Sequence, residues 1–248
     1  MVDKIKILGV GISDLNLEAA VNEVLGMVGR GQQGYICVVP VATLVDCQQD
    51  PRYRQVVNHA QMATPDGMPV VWLCHWHKAR QVSRVYGPQL MKSVCDKGQE
   101  KGLSHFFYGS NPETLDKLMQ RLTDKFPRIK IAGSYAPPYT PQPQVESSDV
   151  LAKINQAKPD IIWVALGSPK QDFWMSMNRP LLDAPLMVGV GAAFDFLAGV
   201  KPQAPKWMQR CGLEWFFRLC CEPGRLWKRY LIGNSLFVFY LLRSFFKK

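Results

Sequence analysis

Apolar and polar positions follow two periods along this chain, and the two take turns. Short runs rich in β-branched and aromatic residues occupy 4–8, 34–39, 104–108, 130–133, 161–166 and 187–190, and each predicts a strand. In the intervals, residues 17–28, 89–101 and 113–126 repeat their apolar positions every three or four residues, as amphipathic helices do. The run Ile161-Ile-Trp-Val-Ala-Leu166 is apolar at every position. Such a strand must be covered on both faces, the situation of a central strand in a parallel sheet. Strands alternating with helices of this length predict βαβ units. The expected fold class is therefore α/β, a Rossmann-like, mostly parallel sheet with helices on both faces, over residues 1–200.

From Pro202 onward the pattern changes. Pro202, Pro205, Pro223 and Gly224 punctuate a stretch crowded with Trp207, Trp215, Phe216, Phe217, Trp227 and Tyr230. Charge gathers here too: ten Lys/Arg against two acids give 201–248 a net +8, out of +10 for the whole chain. We expect residues 201–248 to form a basic, aromatic-rich helical appendage. An end so charged on a near-neutral body predicts an anionic partner: lipid headgroups, nucleic acid or a diphosphate. Arg225-Leu-Trp-Lys-Arg-Tyr-Leu suits a helix lying in a headgroup layer, and equally one packed on the domain by its aromatic face. Exposed aromatics of this kind also leave room for a homo-oligomer. The longest apolar stretch, Leu231 to Leu242, has twelve residues, against about 20 needed to span a bilayer, so no transmembrane segment is expected. The opening residues carry an early acid, Asp3, and no long apolar run, so no secretory leader is expected either. Seven cysteines without a CxxC pair read as reduced thiols.

Open parallel sheets bind ligands at the carboxyl ends of their strands, which directs attention to the loops there. Three strand–turn–helix junctions stand out. Gly109, Ser110 and Asn111 form the first, Gly167 and Ser168 through Gln171 the second, and Gly189 to Phe194 the third. Free backbone N–H groups at such junctions receive phosphate oxygens, although tight turns demand glycine for geometry alone. Asp66, between Pro65 and Gly67 after a short apolar run, is placed either to take a proton from a substrate hydroxyl or to cap a helix. Asp195, between Phe194 and Phe196, is either a supporting carboxylate of a site or a structural one.

Several chemistries find no support. There is no P-loop motif, and Gly189-Val-Gly191 runs into Phe194 where a dinucleotide fingerprint needs a small residue, so no nucleotide cofactor is expected. No Asp-x-Asp occurs to hold a metal, and His75-x-His77, without a neighbouring carboxylate, reads as packing, so no metal site is expected.

Four segments, in this order and spacing, resemble the WecG/TagA/CpsF family of glycosyltransferases. They are Thr64-Pro-Asp-Gly-Met-Pro-Val-Val-Trp72, Arg84-Val-Tyr-Gly-Pro-Gln-Leu-Met91, Gly167-Ser-Pro-Lys-Gln171, and the long run from Gly189 to Tyr230 containing Gly212-Leu-Glu-Trp215 and Glu222-Pro-Gly-Arg-Leu-Trp-Lys-Arg-Tyr230. The resemblance implies transfer of a hexose or N-acetylhexosamine-type sugar, with inversion, from a nucleoside-diphosphate donor to a polyprenyl-diphosphate-linked acceptor in cell-surface polysaccharide assembly; the missing Asp-x-Asp makes the expected transfer metal-independent. The resemblance implies Asp66 as the base, and Arg84 and Gln171 at the donor site; the strand-end junctions place Gly109, Ser110, Asn111, Gly167 and Ser168 there too, with Asp195 as a further donor-site candidate. Arg218, Arg225 and Lys228 would serve the acceptor diphosphate. It also implies a place on the inner face of the cytoplasmic membrane, an anionic membrane surface as partner, and no role for nucleic acid. The sequence departs from the family at Val38 and Pro40, where polar residues are usual. That departure keeps open a second reading, a catalytically degenerate relative acting as a scaffold.

Overall fold

A computed structural model describes residues 2–246 of the chain, so Lys247 and Lys248, two of the cations counted in the appendage, lie outside the described residues. Among the described residues eight strands occur: β1 (Lys4–Ile7), β2 (Val10–Ser13), β3 (Gly34–Val39), β4 (Met62–Pro65), β5 (Ser104–Gly109), β6 (Lys130–Tyr135), β7 (Ile161–Ala165) and β8 (Leu186–Gly189). The chain divides into two compact units. One gathers residues 1–16, 39–85 and 203–248, the other 17–38 and 86–202.

The second unit is the parallel layer that the alternation of periods predicts. Its strands run in the order β3-β8-β7-β5-β6, every neighbouring pair parallel. Every residue of β8, and β7 from Ile161 to Val164, is buried. The helices Leu17–Gly29, Gly87–Gly98, Pro112–Lys125 and Ala193–Leu197 pack on one another in series, whereas Lys170–Asn178 lies on β7 and β8 and Ser148–Ala157 on β6. Each helix follows local rules. In Pro112–Lys125 the proline sits at the first helical position and Asn111 caps the end by accepting from Thr114 N–H at 2.9 Å; Leu115, Leu118 and Leu122 form the buried stripe. At Gly109 the chain turns with φ +122°, and an added Cβ would stand 2.6 Å from the Ala165 carbonyl oxygen, so only glycine fits between β5 and β7 there.

The first unit is built differently. β1 and β2 pair antiparallel, Lys4 opposite Ser13 and Ile7 opposite Val10, through a two-residue turn in which Leu8 and Gly9 both have positive φ. The run at 4–8 is thus one arm of a hairpin. Two residues can join antiparallel strands, while a parallel neighbour needs a crossover of a dozen or more. Ser13 Oγ accepts from Ala63 N–H, which ties β2 to β4. The segment from 203 on contributes the helices Lys206–Arg210, Glu214–Cys221, Pro223–Trp227 and Gly233–Phe245, with a π-helical turn at Lys228–Ile232. The last helix packs against Val41–Gln49. Leu226 and Phe237 are buried, whereas Trp207, Phe216, Trp227, Leu231, Ile232, Val238, Phe239, Leu242 and Phe246 are exposed. No helix among the described residues is long and apolar enough to cross a membrane.

Candidate active site

Asp66 follows β4 directly. Thr64 Oγ1 donates to Val85 O, Val85 N–H to Pro65 O, and Asp66 N–H to Val39 O at 3.1 Å, so the backbone on either side of the carboxylate is pinned. The helix Met68–Trp76 begins after Gly67, which holds the cap position with φ +89°, and no side chain caps it. The Asp66 carboxylate is therefore not spent as a cap. It lines a cavity of about 320 Å³ with Pro40, Arg84, Glu214, Trp215 and Arg218.

Arg84 organises the charges in this cavity. Its Nε and Nη2 donate to Asp66 Oδ1 at 3.3 and 3.2 Å, Nη2 also to Glu214 Oε2 at 2.6 Å, and Nη1 to Gln209 Oε1 at 3.2 Å. Asp66 Oδ2 makes no hydrogen bond among the described residues, and the Asp66 side chain stays 23% exposed, against 14% for Arg84. Burial works against the Arg84 charge, but Asp66 and Glu214 beside it outweigh burial and hold its pKa above the ordinary value. For Glu214 burial outweighs Arg84, and its pKa is raised. The two directions are consistent: the guanidinium gains from two carboxylates, whereas Glu214, though drawn by Arg84 and Arg218, is desolvated and repelled by Asp66. Tyr230, from the π-helical turn, also lines the cavity, and burial raises its phenol. One oxygen of Asp66 is thus anchored, and the carboxylate as a whole lines the cavity and stays partly exposed. Such an arrangement can accept a proton from a hydroxyl that enters the cavity.

Of the cations expected at the acceptor, Arg218 lines this cavity. Arg225 and Lys228 are exposed instead, Arg225 paired with Glu222 at 2.7 Å and Lys228 over the Trp227 ring at 5.5 Å. Pro40, at the departure from the family pattern, forms an apolar part of the wall beside Asp66, and Val38 is buried within β3. His75 donates through Nε2–H to Val82 O at 2.8 Å, a packing contact.

The remaining candidates belong to the second unit, at the carboxyl ends of adjacent strands β5, β7 and β8. Ser110 N–H donates to Ala165 O, so the 109–111 and 165–171 turns lie side by side. Asn111 is occupied as a cap. Gln171 is buried: its Oε1 accepts from Gly191 N–H at 3.0 Å and its Nε2 donates to Ser168 Oγ at 3.2 Å, so it joins the turns after β7 and β8. Asp195 pairs with Lys201 at 3.0 Å. A second cavity, of about 210 Å³, opens beside these turns, walled by Tyr108, Tyr135, Leu166, Lys170 and Trp174. Tyr108 stacks on Trp174 with ring centroids 4.1 Å apart and donates to Glu146.

The sequence pattern of the glycosyl transferase WecG/TagA/CpsF family matches residues 5–248. The chain belongs to this family of glycosyltransferases. Among its WecG/TagA/CpsF relatives, the N-acetylglucosaminyldiphosphoundecaprenol N-acetyl-beta-D-mannosaminyltransferase of Bacillus spizizenii is 35% identical over 186 residues, covering 75% of this chain and 70% of that protein. The protein of the same name from Bacillus subtilis is 34% identical over 184 residues, 74% of this chain and 69% of its own length.

Residue patterns alone missed Gln209, Glu214 and Tyr230 in the first cavity and Tyr108, Tyr135 and Trp174 in the second. Glu214 stands within the Gly212-Leu-Glu-Trp215 segment that carries the family resemblance, so a signal was present, but nothing local joined it to Arg84, 130 residues earlier.

Proposed function

We propose that this glycosyltransferase moves an N-acetylhexosamine-type sugar from a nucleoside-diphosphate donor to a polyprenyl-diphosphate-linked acceptor, with inversion, and with Asp66 as the base. The observation that carries the reading is the Asp66 carboxylate, held by Arg84 through Oδ1 and lining a cavity that Arg84 and Arg218 also line. The acceptor hydroxyl gives its proton to Oδ2 as its oxygen bonds to the anomeric carbon. The bond from that carbon to the diphosphate breaks on the opposite face, and its electron pair leaves with the nucleoside diphosphate. Fixed cations and backbone N–H groups offset the departing charge without a metal. In the second unit the aromatic cavity beside the 165–171 turn, with Tyr108 stacked on Trp174, suits a nucleotide. The acceptor class rests on the relatives, whose names specify a diphosphoundecaprenol-linked N-acetylglucosamine. The cations and exposed aromatics of 203–246 suit an anionic membrane surface, on the cytoplasmic side where such acceptors are assembled, and make the protein peripheral there. In that setting the reaction contributes to cell-surface polysaccharide.

The test is a screen of nucleotide sugars with a short-chain polyprenyl-diphosphate-linked N-acetylglucosamine. Transfer with one donor supports the reading, and the anomeric configuration of the product decides inversion. Absence of both transfer and donor hydrolysis with all donors overturns it in favour of the scaffold. Asp66→Asn should lower turnover by about 10²–10⁴-fold while the fold survives; turnover near wild type would remove Asp66 from the mechanism.

A further inference from the structure

Two groups that hold Arg84, Gln209 and Glu214, come from the C-terminal segment. Glu214 Oε2 makes the shortest contact, 2.6 Å, and Gln209 Oε1 stands at 3.2 Å, while Asp66 Oδ1 takes Nη2 at 3.2 Å and Nε at 3.3 Å. A carboxylate that faces an arginine alone has its negative charge offset and its affinity for protons lowered. That pairing makes a poor base. Here one guanidinium is divided between two carboxylates, so the trio keeps a net negative charge, and the stronger contact is the one that Asp66 does not make.

We propose that Glu214 is a positioning residue for the transfer reaction: it draws the Arg84 guanidinium toward the tail, sets it against one oxygen of Asp66, and leaves Asp66 the charge it needs to accept a proton through the other. Gln209 completes the hold as a neutral acceptor. The inference rests on Asp66 being the base and goes beyond that reading by giving the C-terminal segment a part in the proton transfer, in addition to its cations. It also supplies a physical reason for an acidic residue, one of only two acids from 201 to 248, to stand inside the otherwise basic segment.

The groups facing Asp66 in the cavity that carry or gain charge are Arg84, Glu214, Arg218 and Tyr230. Tyr230 stays neutral, since burial raises its phenol, and Arg218 is a fixed cation. Removing the Glu214 charge therefore leaves Asp66 among cations only. The experiment is the pH profile of kcat/KM for the full chain, with the donor and acceptor analogue found by the screen, for wild type, Glu214→Gln, Glu214→Asp and Gln209→Glu, each checked by thermal melting. Glu214→Gln should move the acid limb to lower pH by about one unit, the small end of what a neighbouring charge does, and lower the plateau by up to ~10-fold. Gln209→Glu places a further carboxylate on the same guanidinium and should move the limb the other way. Glu214→Asp, which keeps the charge, should leave the limb near its wild-type position. A limb that stays in place in folded Glu214→Gln, or moves upward, overturns the proposal. Should that variant fail to fold, Gln209→Glu decides alone, an upward move supporting the proposal and an unmoved limb overturning it. Asp66→Asn in the same assay separates the two levels. If it retains turnover, the base assignment fails and this inference with it; if it is inactive while the limbs stay fixed, only the role of Glu214 fails.

Discussion

The two units solve opposite problems. The second buries strands that are apolar at nearly every position, with Trp163, Trp174, Phe106, Phe107 and Phe194 fully enclosed. The first keeps an arginine and two carboxylates at 14–23% side-chain exposure and displays a row of large apolar side chains on its C-terminal helices. One unit spends its sequence on packing. The other keeps charges partly dehydrated, where their mutual attraction is strengthened, and yet in reach of a ligand. Substitutions should therefore separate them: activity without stability in the first, stability before activity in the second.

The largest separation is expected between Asp66→Asn and Trp163→Ala. The first should cost about 10²–10⁴-fold in turnover with little change in melting temperature. The second should cost about 3–5 kcal/mol of stability by urea denaturation, because it empties a large buried volume and strips His105 Nδ1 of its 3.1 Å bond from Trp163 Nε1. Equal losses of turnover and stability in both variants would erase the contrast.

His105 offers a pH-dependent version. Burial lowers its pKa to about 4 from an ordinary 6.5, with a small opposing pull from Asp160. The folded state thus binds fewer protons than the unfolded chain between these values. Stability should be fully present above about pH 6.5 and be lost progressively as pH falls toward 4, on the order of 3 kcal/mol in all. Measured against wild type from pH 7 to 4, His105→Gln should show a flatter dependence. Parallel curves would show that the acid loss comes from elsewhere.

Smaller effects belong to the tail. Each exposed cation near an anionic surface contributes roughly 1 kcal/mol, so Lys228→Glu with Arg229→Glu should weaken co-sedimentation with anionic vesicles more than ten-fold and leave neutral vesicles unaffected. Unchanged binding would remove the membrane from the account of this segment. The smallest expected effect is at the exposed pair Lys117–Glu113, 2.6 Å apart one helical turn from each other, where Lys117→Ala should leave the urea midpoint close to that of wild type.

Much of this was legible in the linear chain, and unevenly so. The runs at 34–39, 104–108 and 161–166 predict strands that the structure contains within a residue at each end, because strands apolar throughout leave few other ways to be buried. β2 and β4 did not stand out because Val10-Gly-Ile-Ser13 is interrupted by a glycine and Met62-Ala-Thr-Pro65 ends on a proline, residues that weaken a strand signal. Asp66 was found from its setting between Pro65 and Gly67 after an apolar run. Gln171 stood at a strand–turn–helix junction, but its burial between two turns was not visible, since that depends on Gly191, twenty residues later.

The sequence by itself determined the α/β class, the parallel layer and the family, since periodicity and motif spacing are properties of neighbours along the chain. Only the tertiary structure decided that 203–248 forms one unit with 39–85 and that Glu214 and Gln209 reach the arginine beside Asp66. Side-chain contacts separated by 125 and 130 residues leave no local pattern. Their attraction acts through space, over a few ångströms, and exists only once the fold has brought them together.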